Sequence, residues 1–103
     1  MKTFAYLYVV IHMIKNLEDK IISFDDWSQP WTFHAFVSDN NILSTDEVNL
    51  FNKIWKEAGD AELWKYSDLT LGCKASHTYI EKHYVLADKA IANIVRALSY
   101  EWK

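Results

Sequence analysis

The chain has 103 residues, enough for one domain and short for two. Half of its residues are hydrophobic, which argues against a disordered chain. A net charge of −3 and a single arginine, Arg96, leave no basic stripe for phosphate contacts, so nucleic acid is excluded as a partner. Two Gly and one Pro are too few for the many tight turns of an all-β fold, so helices joined by polar loops are expected.

Residues 3–22 read as a helix. Phe4, Leu7, Tyr8, Ile11, Ile14 and Ile22 share one face, while Tyr6, Val9 and Met13 make the other side apolar as well. Such a helix is expected to be central and buried on most sides. The rival is a strand over 4–14, given its β-branched and aromatic content; the same helical register continuing to Ile22 favours the helix. The apolar run 4–14 is too short to span a bilayer, so no membrane partner is expected. Lys15-Asn-Leu-Glu-Asp offers no small-residue cleavage site, which points to a mature cytoplasmic chain.

Residues 24–31 form a loop in which Ser28 is placed to cap a short helix over 31–37, with Pro30 at its start. Alternation of Trp31, Phe33, Ala35 and Val37 allows a strand instead. Ser38-Asp-Asn-Asn41 closes the segment as a turn. The next helix is well specified. Ser44-Thr-Asp-Glu47 is a capping box, and Leu43 with Val48 makes a hydrophobic staple. Phe51, Ile54, Trp55 and Ala58 form its apolar face, and Gly59 is expected as a left-handed C-terminal cap.

Residues 60–66 read as a short helix or turn. Ser67 then caps a helix to about Tyr84, with Leu69, Cys73, Ile80 and Tyr84 on one face and Gly72 weakening it; a hairpin through 69–86 is the alternative. The last helix is the clearest. Asp88 is placed as its N-cap, Ile91, Ile94, Val95, Leu98 and Trp102 form its apolar face, and Tyr100 lies behind, one turn after Arg96.

The expected fold is therefore all-α, a compact bundle of about four to five helices in one domain, 1–103. The α+β alternative has strands at about 4–14 or 69–86.

Chemistry-bearing patterns are sparse. Cys73 and His77 share a helical face at the spacing of a zinc pair, but a closed zinc site shows a second pair and none is present. The same pair, with Glu81 one turn on, has the parts of a thiol nucleophile and base, yet lacks an activating environment in sequence. There is no phosphate-cradling Gly loop and no Gly-x-Ser-x-Gly or His-Glu-x-x-His. No metal, no cofactor and no enzymatic activity are expected. The lone cysteine forms no internal disulfide and fits a reducing compartment.

Charge is distributed unevenly. Residues 17–68 hold eleven acids and four lysines, a balance of −7, whereas the two ends together hold seven bases and three acids. Within the acidic span two clusters mix carboxylates with aromatic rings: Asp25, Asp26, Trp27 and Trp31, then Asp60, Glu62, Trp64, Tyr66 and Asp68. Interfaces favour Trp and Tyr anchors, and surrounding charge steers the partner. The competing reading is that the rings are core and the acids keep the protein soluble. Asp25, Asp26, Trp27, Asp60, Glu62 and Asp68 are the expected partner-binding residues.

With its length, single domain, acidic middle, Trp and Tyr content and lack of a catalytic motif, the chain resembles small bacterial immunity proteins. Those proteins neutralise polymorphic or contact-dependent growth-inhibition toxins. The resemblance implies a cognate toxin partner with a basic surface, such as a nuclease. Acidic side chains would stand in for the phosphates of its substrate and occlude its cleft. The alternatives are a phage or mobile-element inhibitor of a host defence complex, or a small helical adaptor subunit; Tyr100 and Arg96 leave room for a homodimer.

Overall fold

The computed structural model describes the backbone of residues 2–103 and the side chains of residues 9–103. Among the described residues the chain is all-helical: α1 (Lys2–Ile22), a 3-10 turn (Pro30–Thr32), α2 (Phe33–Val37), α3 (Thr45–Ala58), α4 (Ala61–Trp64), α5 (Leu69–His83) and α6 (Asp88–Glu101). The short α2 and α4 take the helix count above the expected four or five. Neither 4–14 nor 69–86 is a strand. No described helix is long and apolar enough to cross a membrane.

Helix α6 packs against α1 and α5, α3 packs against α1 and α5, and α4 lies on α5. The core contains Leu17 and Ile21 of α1, Phe33 and Val37 of α2, Phe51 and Ile54 of α3, Ile80 of α5, and Ile91, Ile94 and Leu98 of α6. Helix α1 departs from the all-round burial expected of it. Leu17 and Ile21 are buried, Val10, Met13 and Ile14 are half-buried, and Val9 and Ile11 are exposed. Length explains this. The 21 residues of α1 run about 32 Å, whereas α3 and α6, at 14 residues each, run about 21 Å and cannot cover it. The expected face residues Phe4, Leu7 and Tyr8 lie outside the described side chains.

The capping box of α3 forms as expected. The Ser44 N–H donates to Glu47 Oε1 at 2.7 Å and the Glu47 N–H to Ser44 Oγ at 3.2 Å. Burial opposes ionisation of Glu47, but hydrogen bonds from Ser44 and from the Asn16 side chain of α1 outweigh it, so its pKa is lowered. The box thus also ties α3 to α1.

Other caps differ from expectation. Ser28 does not cap; its hydroxyl donates to Asp26, and Gln29 precedes the 3-10 turn. Asp68 rather than Ser67 caps α5. Ala87 rather than Asp88 is the N-cap of α6, with no side-chain cap, and its N–H donates to Glu18 of α1, which ties the start of α6 to that helix. Asn93 adds a second tie, donating to the Ile21 carbonyl at 3.0 Å. Trp102, expected on the buried face, lies beyond the last turn and is exposed.

Neither glycine behaves as its sequence context suggested. Gly59 has φ −93°, an ordinary right-handed value, and no left-handed cap forms. A Cβ there would meet Leu98 Cδ2 and the Trp55 carbonyl, both at 3.0 Å, so the residue lets α6 approach. Gly72, which weakens α5 on propensity, is buried under Trp64, and a Cβ would lie 2.6 Å from Trp64 Cε3. The ring cannot readily yield, because its indole N–H is hydrogen-bonded to the Ala58 carbonyl at 2.8 Å and it stacks on Trp102.

Gly72→Ala therefore sets a helix-propensity gain of about 1 kcal/mol against overpacking of about 1–3 kcal/mol. Urea unfolding should show the variant to be less stable than the parent. A more stable variant would mean that the Trp64 ring is free to move.

Candidate functional site

The C-terminal end of α3 delivers the site. Ala58 is its last residue, so its carbonyl has no partner within the helix. That oxygen accepts from the Trp64 indole and from the Ser76 hydroxyl, each at 2.8 Å. The two bonds fold the chain back at once, and α4 starts three residues after α3 ends. Asp60 caps α4, accepting the Glu62 N–H at 2.8 Å. The acidic turn is thus held by its own cap and by the buried ring below it.

Glu57 stands beside that turn. Its Oε1 accepts hydrogen bonds from the Tyr84 hydroxyl at 2.7 Å and the Tyr79 hydroxyl at 2.8 Å. These donors, Tyr84 first, lower its pKa and keep it ionised; Lys53 and His83 add to the effect. The phenols respond in the opposite sense. Burial first, then the bond to Glu57, pushes the Tyr84 hydroxyl well up, and Tyr79 is raised chiefly by its bond to Glu57. Both remain donors at neutral pH. Tyr79 also packs on the His83 ring, with centroids 4.3 Å apart.

Glu57, Asp60, Glu62, Leu63 and Tyr79 line a cavity of about 210 Å³. That is below the roughly 300–1,000 Å³ of sites for small ligands. It suits a single long side chain, with carboxylates for a cationic head and Leu63 and Tyr79 for its stem. Lys65 already pairs with Glu62 at 3.1 Å, an exposed contact that a partner could displace at little cost.

Of the six residues expected to bind a partner, the structure brings only Asp60 and Glu62 into one cavity. Asp68 caps α5, accepting the Thr70 N–H at 2.9 Å. Asp25 is exposed. Asp26 closes its own loop, accepting from Ser28 Oγ at 2.6 Å and Gln29 Nε2 at 3.0 Å. Trp27 is half-buried, stacked on Phe33 and edge-on to Phe24, with the Arg96 guanidinium 4.2 Å above its ring. It is chiefly a packing residue, and its neighbour Trp31 is the exposed tryptophan of that cluster. Arg96 is thus engaged by Trp27.

Glu57, Tyr79 and Tyr84 were not singled out from sequence as a site. Glu57 is 22 and 27 residues from its two phenols, and no local pattern announces such a contact.

Cys73 and His77 share the α5 face as their spacing requires. They line a shallow groove with Ala92, Val95 and Arg96 of α6. Burial pushes the Cys73 thiol up, which disfavours the thiolate a nucleophile needs. His77 Nδ1 lies 4.0 Å from Glu81 Oε2. Among the described residues no three His, Cys, Asp or Glu side chains converge as a metal ion would require.

No family model matches the chain, and no curated protein or solved structure matches it either.

The Glu57 bonds have a pH signature. Because its folded pKa is lowered, its contribution to stability is complete above the ordinary value of 4.5 and is lost as pH falls through the lowered folded value. Unfolding followed from about pH 6 to about pH 3 should show a shallower acid loss in Tyr79→Phe/Tyr84→Phe than in the parent. Equal slopes would mean that the phenols do not hold the carboxylate.

Proposed function

We propose that the protein is a stoichiometric inhibitor of the immunity type, which binds a toxin domain in the cytoplasm and covers its basic active-site cleft. The observation that supports this best is the cavity at the end of α3. Glu57 is held ionised there by two phenols, beside Asp60 on its capped turn and the exposed Glu62.

A carboxylate fixed in this way presents oxygen acceptors much as a bound phosphate does. The lysines and arginines that grip a nuclease's substrate would find anionic acceptors here, gathered around one cavity. Pre-organisation matters because ordering a side chain on binding costs about 0.5–1.5 kcal/mol. Glu57 and Asp60 have already met much of that cost within the fold. Protection of a cell calls for a complex of about nanomolar affinity or tighter, roughly −12 kcal/mol. Charge steering by the acidic face speeds the encounter, and burial of the cavity contacts slows release.

The exposed Asp25 and the Asp26 loop extend the acidic surface, whereas Trp27 and Asp68 serve it through the fold. The same face would fit a basic subunit of a host defence complex. Proximity of a toxin gene separates the two readings.

The first candidate to test is any toxin domain whose gene adjoins this one. A one-to-one complex and loss of toxicity on co-expression are expected. Asp60→Lys/Glu62→Lys should lower the association rate roughly ten-fold or more at low salt, with the difference shrinking as salt rises. Unchanged association at low salt would remove the α3–α4 turn from the interface.

A further inference from the structure

A second cleft, of about 480 Å³, opens where the 3-10 turn meets the end of α6. Trp27, Ser28, Pro30, Trp31, Tyr100 and Glu101 line it. Its composition is unlike that of the acidic turn: three aromatic rings and one carboxylate. Trp31 is 68% exposed and Tyr100 40%. Tryptophan is on average a well-buried residue, so an indole left this open calls for an explanation. No ring or cation packs on Trp31, and Glu101 makes no ion pair, among the described residues.

The chemistry of the lining selects a cation. An aromatic face carries negative charge density, and an ammonium or guanidinium within about 6 Å of the ring centre is attracted to it. Two rings of this cleft already hold cations from the chain itself. The Arg96 guanidinium lies 4.2 Å from the centre of Trp27, and Lys103 Nζ lies 4.9 Å from the centre of Tyr100. Arg96 does not line the cleft and is part of the packing beneath it. Lys103 is exposed, follows the end of α6 and makes no ion pair among the described residues. It does not line the cleft either, but its contact shows that the Tyr100 ring holds an ammonium group.

We propose that this cleft receives a lysine or arginine side chain of a partner protein. Trp31 and Tyr100 form its walls, and Glu101 is the counter-ion. The proposal rests on the inhibitor reading only in requiring a basic partner, and it uses a surface that the acidic turn does not supply. Carboxylate and rings then act together, because the ring faces accept the flat or alkyl part of the side chain while Glu101 pairs with its charge.

The test needs no partner. A blocked Arg-Gly-Arg peptide is titrated into the full chain at low salt, with the citrulline peptide, equal in shape and uncharged, as control. NMR shifts of the Trp31 indole and the Tyr100 ring are followed. Saturable shifts at both rings are expected with the arginine peptide, weakened roughly three- to ten-fold by Glu101→Gln and by Trp31→Ala. Equal binding of the citrulline peptide, shifts confined to residues 57–63, or no saturation at Trp31 would each overturn the proposal. Those outcomes would leave the acidic-turn reading standing, and that reading fails only in the charge-reversal experiment.

Discussion

The carbonyl oxygen of Ala58 accepts two buried hydrogen bonds, from the Trp64 indole and the Ser76 hydroxyl, and three helices are fixed in relation to it. A carbonyl at a helix end has no partner in its own helix, and leaving it buried and unbonded would cost about 1–3 kcal/mol. The two donors remove that cost and set the geometry around them. Trp64 is drawn under the turn, Gly72 must lack a side chain to admit the ring, and Ser76 must be small enough to sit fully buried beneath α3. Gly59 and Leu98 close the other side, where α6 approaches the same helix end. Trp102 then stacks on the outer face of the system at 6.4 Å, nearly parallel to Trp64.

The candidate surface follows from that arrangement. A four-residue helix such as α4 has no stability of its own. It persists because its last residue is buried and its first turn is capped by Asp60. Glu57, on the last turn of α3, is aimed by Tyr79 of α5 and by Tyr84 just beyond it. Carboxylates that would otherwise be long, mobile side chains are thereby presented in a fixed array. Two acids of this surface hold the fold and line the cavity at once: Asp60 caps a helix, and Glu57 joins α3 to α5 and the residue after it. A flexible acidic surface would attract a basic partner as strongly at long range but would lose more on binding.

Local grammar made much of this fold readable in the sequence. Ser44 and Glu47 stand three apart before an apolar stripe, and both capping bonds form. The stripe of α6 from Ile91 to Leu98 is buried as its spacing implies. Features that depend on distant partners were not readable. Glu18, 69 residues away, takes the N–H of Ala87 and ties the start of α6 one residue ahead of Asp88, the cap expected from sequence. Gly72 looked like a flaw in α5 because Trp64, whose ring it admits, is known only from the packing. The apolar run of α1 looked central, but the 14-residue helices beside it are too short to cover it. In the site, the Asp60–Glu62 turn stood out by its carboxylates beside aromatic residues. Glu57 did not, because its character comes from two phenols brought in by α5. Trp27 was the binding ring expected from sequence, whereas the stacking on Phe33 makes Trp27 the packed ring and leaves Trp31 the exposed one.

The buried Trp64–Ala58 bond is what holds the acidic turn rigid. The exchange rate of the Trp64 indole proton with solvent, measured against those of the other four tryptophans, tests it most directly. The account predicts that Trp64 exchanges slowest, and only through global unfolding, at the rate of the most protected α3 amides. If the Trp64 indole exchanged as fast as that of the exposed Trp31 while α3 stayed protected, the turn would be opening independently and the account would be contradicted.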